Sequence, residues 1–491
     1  MDHVLAIDGG TTGVTVQLID AAGRVVRKAD RDFTQHYPKP GWVEHDADEI
    51  ADVALSLVRR VAAGIPAARL AGIGITNQRE TTVLWDRATG RPLHRAIVWQ
   101  DRRTADTCAG LRKRGLESTV RSRTGLTLDP YFSGTKIAWI LDHVPGLRRR
   151  AERGEVAFGT IDTWLLSVLS GGTAHATDLT NASRTLLFDI HRRRWDPDLL
   201  RALRVPASVL PEVKRSAARF GTTAPGVLPG GCVAVTGIAG DQQSALFGQG
   251  CVRPGEAKNT YGTGCFLVLN TGGKAVRSRS GLLTTLACDA KGGPVYALEG
   301  SVFVAGAAVQ WLRDGLGLIR TAAETEKLAL SVRDAGGVHL VPAFVGLGAP
   351  HWRPDARGVL CGLTRGTTRA HLVRATLESI AFQTADVVRA MESDTGRRMV
   401  GLKVDGGATA NRFLMQFQSD LLGIPVARPA NIESTILGAA YLAGIGAGLW
   451  KDRGEIEKKI AKGVAFRPRM SAGERACRME GWRKAVERTL L

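Results

Sequence analysis

The chain has 491 residues, 44% of them hydrophobic and 23% charged. That is the usage of an ordinary globular enzyme, in a chain too long for one compact core, so two large domains are expected. No apolar run reaches the roughly 18 residues that a membrane-spanning helix needs. The formal net charge is +19. Its arginines are spread over the whole length, and the compact run Arg148–Arg150 has no aromatic residues interleaved. This reads as a solvated basic surface rather than a nucleic-acid interface.

The N-terminus, MDHVLAIDGGTTG, lacks the basic start and apolar stretch of a secretion signal, so a cytoplasmic location is expected. VLAID (4–8) reads as a strand, GGTTG (9–13) as a polar loop and VTVQLID (14–20) as a second strand, which together make a hairpin with a glycine-threonine tip. DEIADVALSLVRRV (48–61) sets Ile50, Val53, Ala54, Leu57, Val58 and Val61 on one helical face, with Asp46 or Asp48 available as its cap. AGIGIT (71–76) is a strand that runs into the polar NQRE. The tract 221–237 reads as turns and a strand. At 257–270 the strand–loop–strand pattern returns around YGTG (261–264), which suggests two similar domains facing each other. A second helical face follows over 370–392, and KVDGG (403–407) is a strand closed by two glycines before another helix. Strands alternate with helices throughout, so the class is α/β. None of the seven cysteines is spaced as C-x-x-C; buried free thiols are expected rather than a zinc site or disulfides.

Three loops invite a phosphate reading, though each alone could be a plain turn. Asp8 ends a strand before Gly9, Gly10, Thr11, Thr12 and Gly13; glycines let amides turn toward phosphate oxygens, and a strand-end carboxylate suits hydrated Mg²⁺. YGTG repeats the device, and VDGGATAN (404–411) opens a helix. Together they suggest a triphosphate held between two domains. Asp241, in GIAGDQQSALFG, is either a helix cap or a general base. Arg79 and Glu80 are either a surface ion pair or donors and acceptors for a small polyol.

YPKPGWVEHD (37–46), GITNQRETT (74–82), TNASRTLLF (180–188), GIAGDQQ (237–243) and NTYGTGCF (259–266), with signature-like stretches at 131–143 and 358–378, make the chain resemble the FGGY carbohydrate kinases of the actin-like ATPase superfamily, essentially end to end. NQRET and GDQQ align it with the family's glycerol-phosphorylating branch; a kinase of a pentulose or related polyol is the alternative. The resemblance implies two actin-like (ribonuclease H-like) domains, 1–248 and 249–491, with a catalytic cleft between them. It implies ATP and Mg²⁺ as cofactors, glycerol as substrate, and sn-glycerol 3-phosphate and ADP as products; it is compatible with a homodimer or homotetramer. Arg79, Glu80, Tyr131, Asp241 and Gln242 match glycerol contacts, and Trp99 and Phe266 match aromatic residues against its carbon chain. Asp241 matches the catalytic base, and Asp8 and Asp241 match residues that hold Mg²⁺ through water. Thr11, Thr12, Gly13 and Thr263 match phosphate contacts, and Gly306, Gln310, Gly407 and Asn411 match positions around the nucleotide. Two departures bear on nucleotide affinity and regulation. Thr15 stands where the family usually has an arginine that can reach phosphate, and 224–232 (APGVLPGGC) lacks the loop by which some relatives bind an inhibitory sugar bisphosphate.

Overall fold

The apolar N-terminal run forms β1 (His3–Gly9), which pairs antiparallel with β2 (Gly13–Asp20), itself antiparallel to β3 (Val25–Asp32). The structure is a computed structural model that describes residues 1–290, 293–353, 355–458 and 463–491. Helix α1 (Ala47–Ala62) turns its apolar stripe to this sheet, and of the two candidate caps Asp46 is the one that accepts from the amides of Asp48 and Glu49. β4 (Leu70–Asn77) lies parallel to β1. The tract 221–237 gives a two-residue edge strand, β5 (Gly221–Thr222), and then β6 (Ala234–Gly240), parallel to β4. The first sheet therefore runs β5-β6-β4-β1-β2-β3. Helix α2 (Ser133–His143) belongs to an accessory region beside it, and α3 (Asp241–Gly248) follows β6 directly.

The second sheet repeats the plan. β7 (Ala257–Tyr261), β8 (Cys265–Gly272) and β10 (Tyr296–Val302), with β9 (Leu283–Leu286) outside them, form the antiparallel part. β11 (Leu402–Asp405) and β12 (Val426–Arg428) add in parallel, and β13 (Val464–Phe466) closes the edge. The order is β9-β10-β8-β7-β11-β12-β13. Short α4 (Gly306–Gln310) and α5 (Glu324–Leu330), long α6 (Arg369–Thr395) and α7 (Arg412–Leu422) cover this half. In both halves a three-stranded meander leads into two parallel strands, which is the α/β two-domain plan expected.

One helix crosses between the halves. α8 (Ser434–Gly446), STILGAAYLAGIG, is apolar and small on every side, the composition of a fully buried helix. It lies on β1, β4 and β6 of the first sheet, where Ile436, Ala440 and Tyr441 join Val4, Ala6 and Ile19 in one core. α3 packs in return against β7 and β8. The two helices cross at glycines: a Cβ on Gly438 would overlap the Ser244 carbonyl oxygen, and one on Gly248 the Ser434 carbonyl oxygen. A final helix, α9 (Ala472–Leu490), packs on the second half. All seven cysteines are free; Cys108, Cys251, Cys265 and Cys288 are buried, but Cys361 is half-buried and Cys232 and Cys477 are exposed, so the expectation of burial holds only in part. No helix among the described residues is long and apolar enough to cross a membrane.

Because the crossing has no room for a methyl group, Gly438→Ala must push α3 and α8 apart. We expect it to lower unfolding stability by about 1–3 kcal/mol, the scale of core overpacking, read from denaturant unfolding. A neutral result would mean that the helices separate without cost.

Candidate active site

The parallel strands β1, β4 and β6 end side by side, with Gly9 opposite Asn77 and Asn77 opposite Gly240. The residues at or just beyond those ends are Asp8, the run Gln78–Glu80, and Asp241. Ligands of α/β sheets collect at such carboxyl ends. Gly240, not Asp241, takes the cap position of α3; Asp241 is the first helical residue, so the capping reading fails by one residue. Its Oδ1 accepts from the Gln242 amide at 2.7 Å and lies 3.1 Å from Arg79 Nε. No hydrogen bond to its Oδ2 is found among the described residues.

Arg79 and Glu80 are 2% and 1% exposed, which overturns the surface ion pair. Burying charge this deeply requires partners, and the structure supplies them. Arg79 donates to both oxygens of Glu299, at 2.6 and 2.9 Å, and to Gln243 Oε1 at 3.1 Å. Arg184 donates to Glu80 at 2.6 Å and to Glu299 at 2.9 Å. Two arginines and two glutamates thus close a buried, charge-balanced network, with Glu299 contributed by β10 of the second sheet. Burial opposes the ionisation of Glu299, but Arg184 and Arg79 outweigh it and hold its carboxyl down to about 2. Glu80 itself sits at φ 62°, a strained backbone for a non-glycine residue. Its carbonyl is held by Ser133 Oγ at 3.0 Å and by Lys136 Nζ at 3.4 Å, and Lys136 also donates to the Tyr131 carbonyl at 2.6 Å. The start of α2 therefore fixes both Glu80 and Tyr131. Burial pulls the Lys136 ammonium down to about 7.

An aromatic wall stands over these polar groups. Trp99 meets Tyr131 edge-on at 5.6 Å between centroids and Phe266, from β8, at 6.4 Å. Tyr131 OH lies 3.4 Å from Arg79 Nη2. Gln242 is buried, its carbonyl engaged by Lys258, which also donates to Thr260 at 2.8 Å. Such a site can surround a short, hydroxylated carbon chain.

In the second half a cavity of about 960 Å³ opens between the β7–β8 loop and the start of α7. Thr263, Gly306, Gln310, Gly407 and Asn411 all line it. Gly306 is required there, since a Cβ would meet the Gly262 carbonyl at 2.5 Å. Thr11, Thr12 and Gly13 do not line this cavity. They belong to the β1–β2 turn, where Thr11 Oγ1 accepts from Trp99 Nε1 at 3.1 Å, beside the polyol-sized site. Asp8 is half-buried near Asp241. Burial, and then the charges of Asp241 and Glu433, push its carboxyl up to about 7. Asp8 and Asp241 thus lie close enough to affect each other, and carboxyl oxygens are the ligand type that a divalent ion takes.

Glu299, Arg184, Gln243 and Lys136 were not among the expected site residues. The signal for Glu299 was a lone carboxylate inside the strand YALEGSV. Removing its charge leaves two buried guanidinium groups sharing one buried glutamate, Glu80, with the partly exposed Asp241 beside Arg79 at 3.1 Å. Glu299→Gln is expected to cost about 3–5 kcal/mol of stability, the scale for breaking a buried pair, measured by denaturant unfolding. A loss below about 1 kcal/mol would mean the network is not needed for its own charge balance.

Residues 3–248 match the N-terminal domain model, and residues 257–447 the C-terminal domain model, of the FGGY family of carbohydrate kinases. A glycerol kinase of Trichlorobacter lovleyi is 58% identical over 493 aligned residues, covering 100% of this chain and 99% of that protein. One of Carboxydothermus hydrogenoformans is 56% identical, covering 99% and 98%. Among solved structures, Plasmodium falciparum glycerol kinase with ADP superposes with a TM-score of 0.95 at 38% identity, covering 100% of this chain and 99% of that one. With both domain models and full-length relatives in agreement, the chain belongs to the FGGY family of carbohydrate kinases.

Proposed function

We propose that the chain transfers the γ-phosphoryl group of ATP to a primary hydroxyl of glycerol, giving sn-glycerol 3-phosphate and ADP. The observation that carries this reading is Asp241: one carboxylate oxygen is tethered by an amide and a guanidinium, and the other has no hydrogen-bond partner among the described residues, at the foot of an aromatic-walled site. Full-length similarity to proteins named glycerol kinase supports the choice of substrate.

In this reading Asp241 Oδ2 accepts the proton of the attacking hydroxyl as phosphoryl transfer begins. Arg79, Glu80, Tyr131 and Gln242 hold the hydroxyls, and Trp99 and Phe266 cover the carbons. Glu299 and Arg184 act at one remove, by fixing Arg79 and Glu80. Thr263, Gly306, Gln310, Gly407 and Asn411 receive the nucleotide, and Thr11, Thr12 and Gly13 its terminal phosphates. Asp8 and Asp241 would hold hydrated Mg²⁺, whose charge offsets that of the phosphates. Residues 1–248 bring the base, the phosphate-binding turn and the polyol contacts other than Phe266, and residues 249–491 bring Phe266 and the contacts around the nucleotide.

The direct test is ADP release, measured by a coupled assay with glycerol, with a panel of pentuloses and polyols, and without acceptor. Release that depends on glycerol is expected; equal release with a pentulose would sink the assignment. Asp241→Asn keeps the shape but loses the base, and kcat should fall on the order of 10²-fold or more. Near-normal turnover in that variant would remove Asp241 from the mechanism.

Thr15 lies directly opposite Asp8 in the β1–β2 pairing, so the two side chains share a face of the sheet. An arginine there would start from the side on which the phosphates are expected. A charge-assisted phosphate contact contributes about 1.5–3 kcal/mol. Thr15→Arg should therefore lower the KM for ATP by roughly tenfold, with little change in the KM for glycerol. An unaltered ATP KM would show that Asp30, opposite Thr15 on the other side, holds the guanidinium instead.

A further inference from the structure

Away from the cleft, the second half carries a groove of about 870 Å³ between α5, α7, β13 and the segment that leads into α9. Six arginines line it: Arg333, Arg374, Arg412, Arg467, Arg469 and Arg478. Among the described residues three acids line it with them, and each is already committed. Glu326 accepts from the Arg412 amide at 2.6 Å; Asp420 accepts from the Arg469 amide at 2.6 Å and from Gln416; Glu474 pairs with Arg478 at 3.1 Å. Arg374 is buried, held by Glu378 at 2.8 Å and by two backbone carbonyls. The side chains of the other four, Arg333, Arg412, Arg467 and Arg469, are exposed and have no ion-pair partner among the described residues. The groove floor is aromatic: the Arg374 guanidinium lies 4.8 Å from the Phe413 ring centroid and that of Arg478 lies 5.7 Å from Phe417.

Four unpaired guanidinium groups around one concavity repel one another unless an anion joins them. Arginine offers paired N–H donors at the spacing of phosphate oxygens. The volume is that of a small-molecule pocket rather than of an extended surface. From this we infer that the groove is a second binding site, separate from the catalytic cleft, for a small polyanion that carries two or more phosphate groups. It is close to the nucleotide-side cavity: α5 lines both, and Asn411, at the start of α7, donates to Thr325 of α5 at 3.1 Å. The inference stands on the groove alone and does not depend on which hydroxyl compound the cleft phosphorylates.

Inorganic pyrophosphate is a suitable probe. It is titrated by calorimetry into the full chain with the cleft saturated by ADP, for the native protein and for the double variant Arg467→Ala/Arg469→Ala. Both side chains are exposed and make no side-chain hydrogen bond among the described residues, so folding is preserved, and an unchanged thermal melt verifies it. The expected result is saturable binding to the native chain in the presence of ADP, with affinity at least tenfold weaker in the variant and weaker again at high salt. Absence of saturable binding to the ADP-loaded native chain would overturn the inference. Equal affinity in the double variant would overturn it too, since the probe would then sit elsewhere.

Discussion

A guanidinium group stripped of water must find its hydrogen bonds inside the protein, and Arg79 finds them on both sides of the cleft. Its Nη atoms go to Glu299 on β10 of the second sheet, while its Nε faces Asp241 at the end of β6 of the first. The polar floor of the site therefore cannot be completed by either half alone. Arg184 repeats the arrangement by bridging Glu80 and Glu299. With two positive and two negative charges the network is neutral, which is what allows it to exist at so low an exposure. The strained backbone at Glu80 is held by the same neighbourhood: Ser133 and Lys136 keep its carbonyl in place, and Arg184 keeps its carboxylate. Strain of this kind persists only where the surroundings over-determine it.

That cross-cleft network needs the two halves at a fixed separation, and the crossing of α3 and α8 sets it. α3 begins with Asp241 and lies on β7 and β8; α8 comes from the second half and lies on β1, β4 and β6. Each half thus lends a helix to the other's sheet. The glycines at the crossing bring the helix backbones close, and Ser244 Oγ donates across it to the Thr435 carbonyl at 2.6 Å. A displacement here would move Asp241 directly, because it stands one turn from Ser244 on the same short helix.

The local elements were legible because each follows from local chemistry. The hairpin came from two apolar runs around a Gly–Thr tip and α1 from its stripe, and two of the three glycine loops line the nucleotide-side cavity. The residues of the site were legible through resemblance, motif by motif. What stayed hidden depends on contacts far apart in sequence. Glu299 is 220 positions from Arg79, and nothing in either neighbourhood announces the other. Whether Asp241 caps its helix turned on a helix boundary one residue wide, finer than a sequence pattern resolves. Arg79 and Glu80 resemble a surface pair for a similar reason: exposure is a property of what packs over a loop, and here the covering comes from β10 and α2.

Charge distribution separates two kinds of basic residue that composition lumps together. The arginines of the cleft, Arg79 and Arg184, are each matched by a carboxylate and add nothing to the field outside. Those of the groove beside α7 are matched only in part, because its acids are spent on backbone amides and on Arg478. The same side chain is thus a neutral structural part in one place and an open electrostatic site in the other, and what decides is whether the carboxylates nearby are already occupied. A solvated basic surface explains isolated arginines on convex faces, where water and salt screen them. It does not explain arginines without partners gathered in a concavity, where mutual repulsion is least screened and the gain from a bridging anion is greatest.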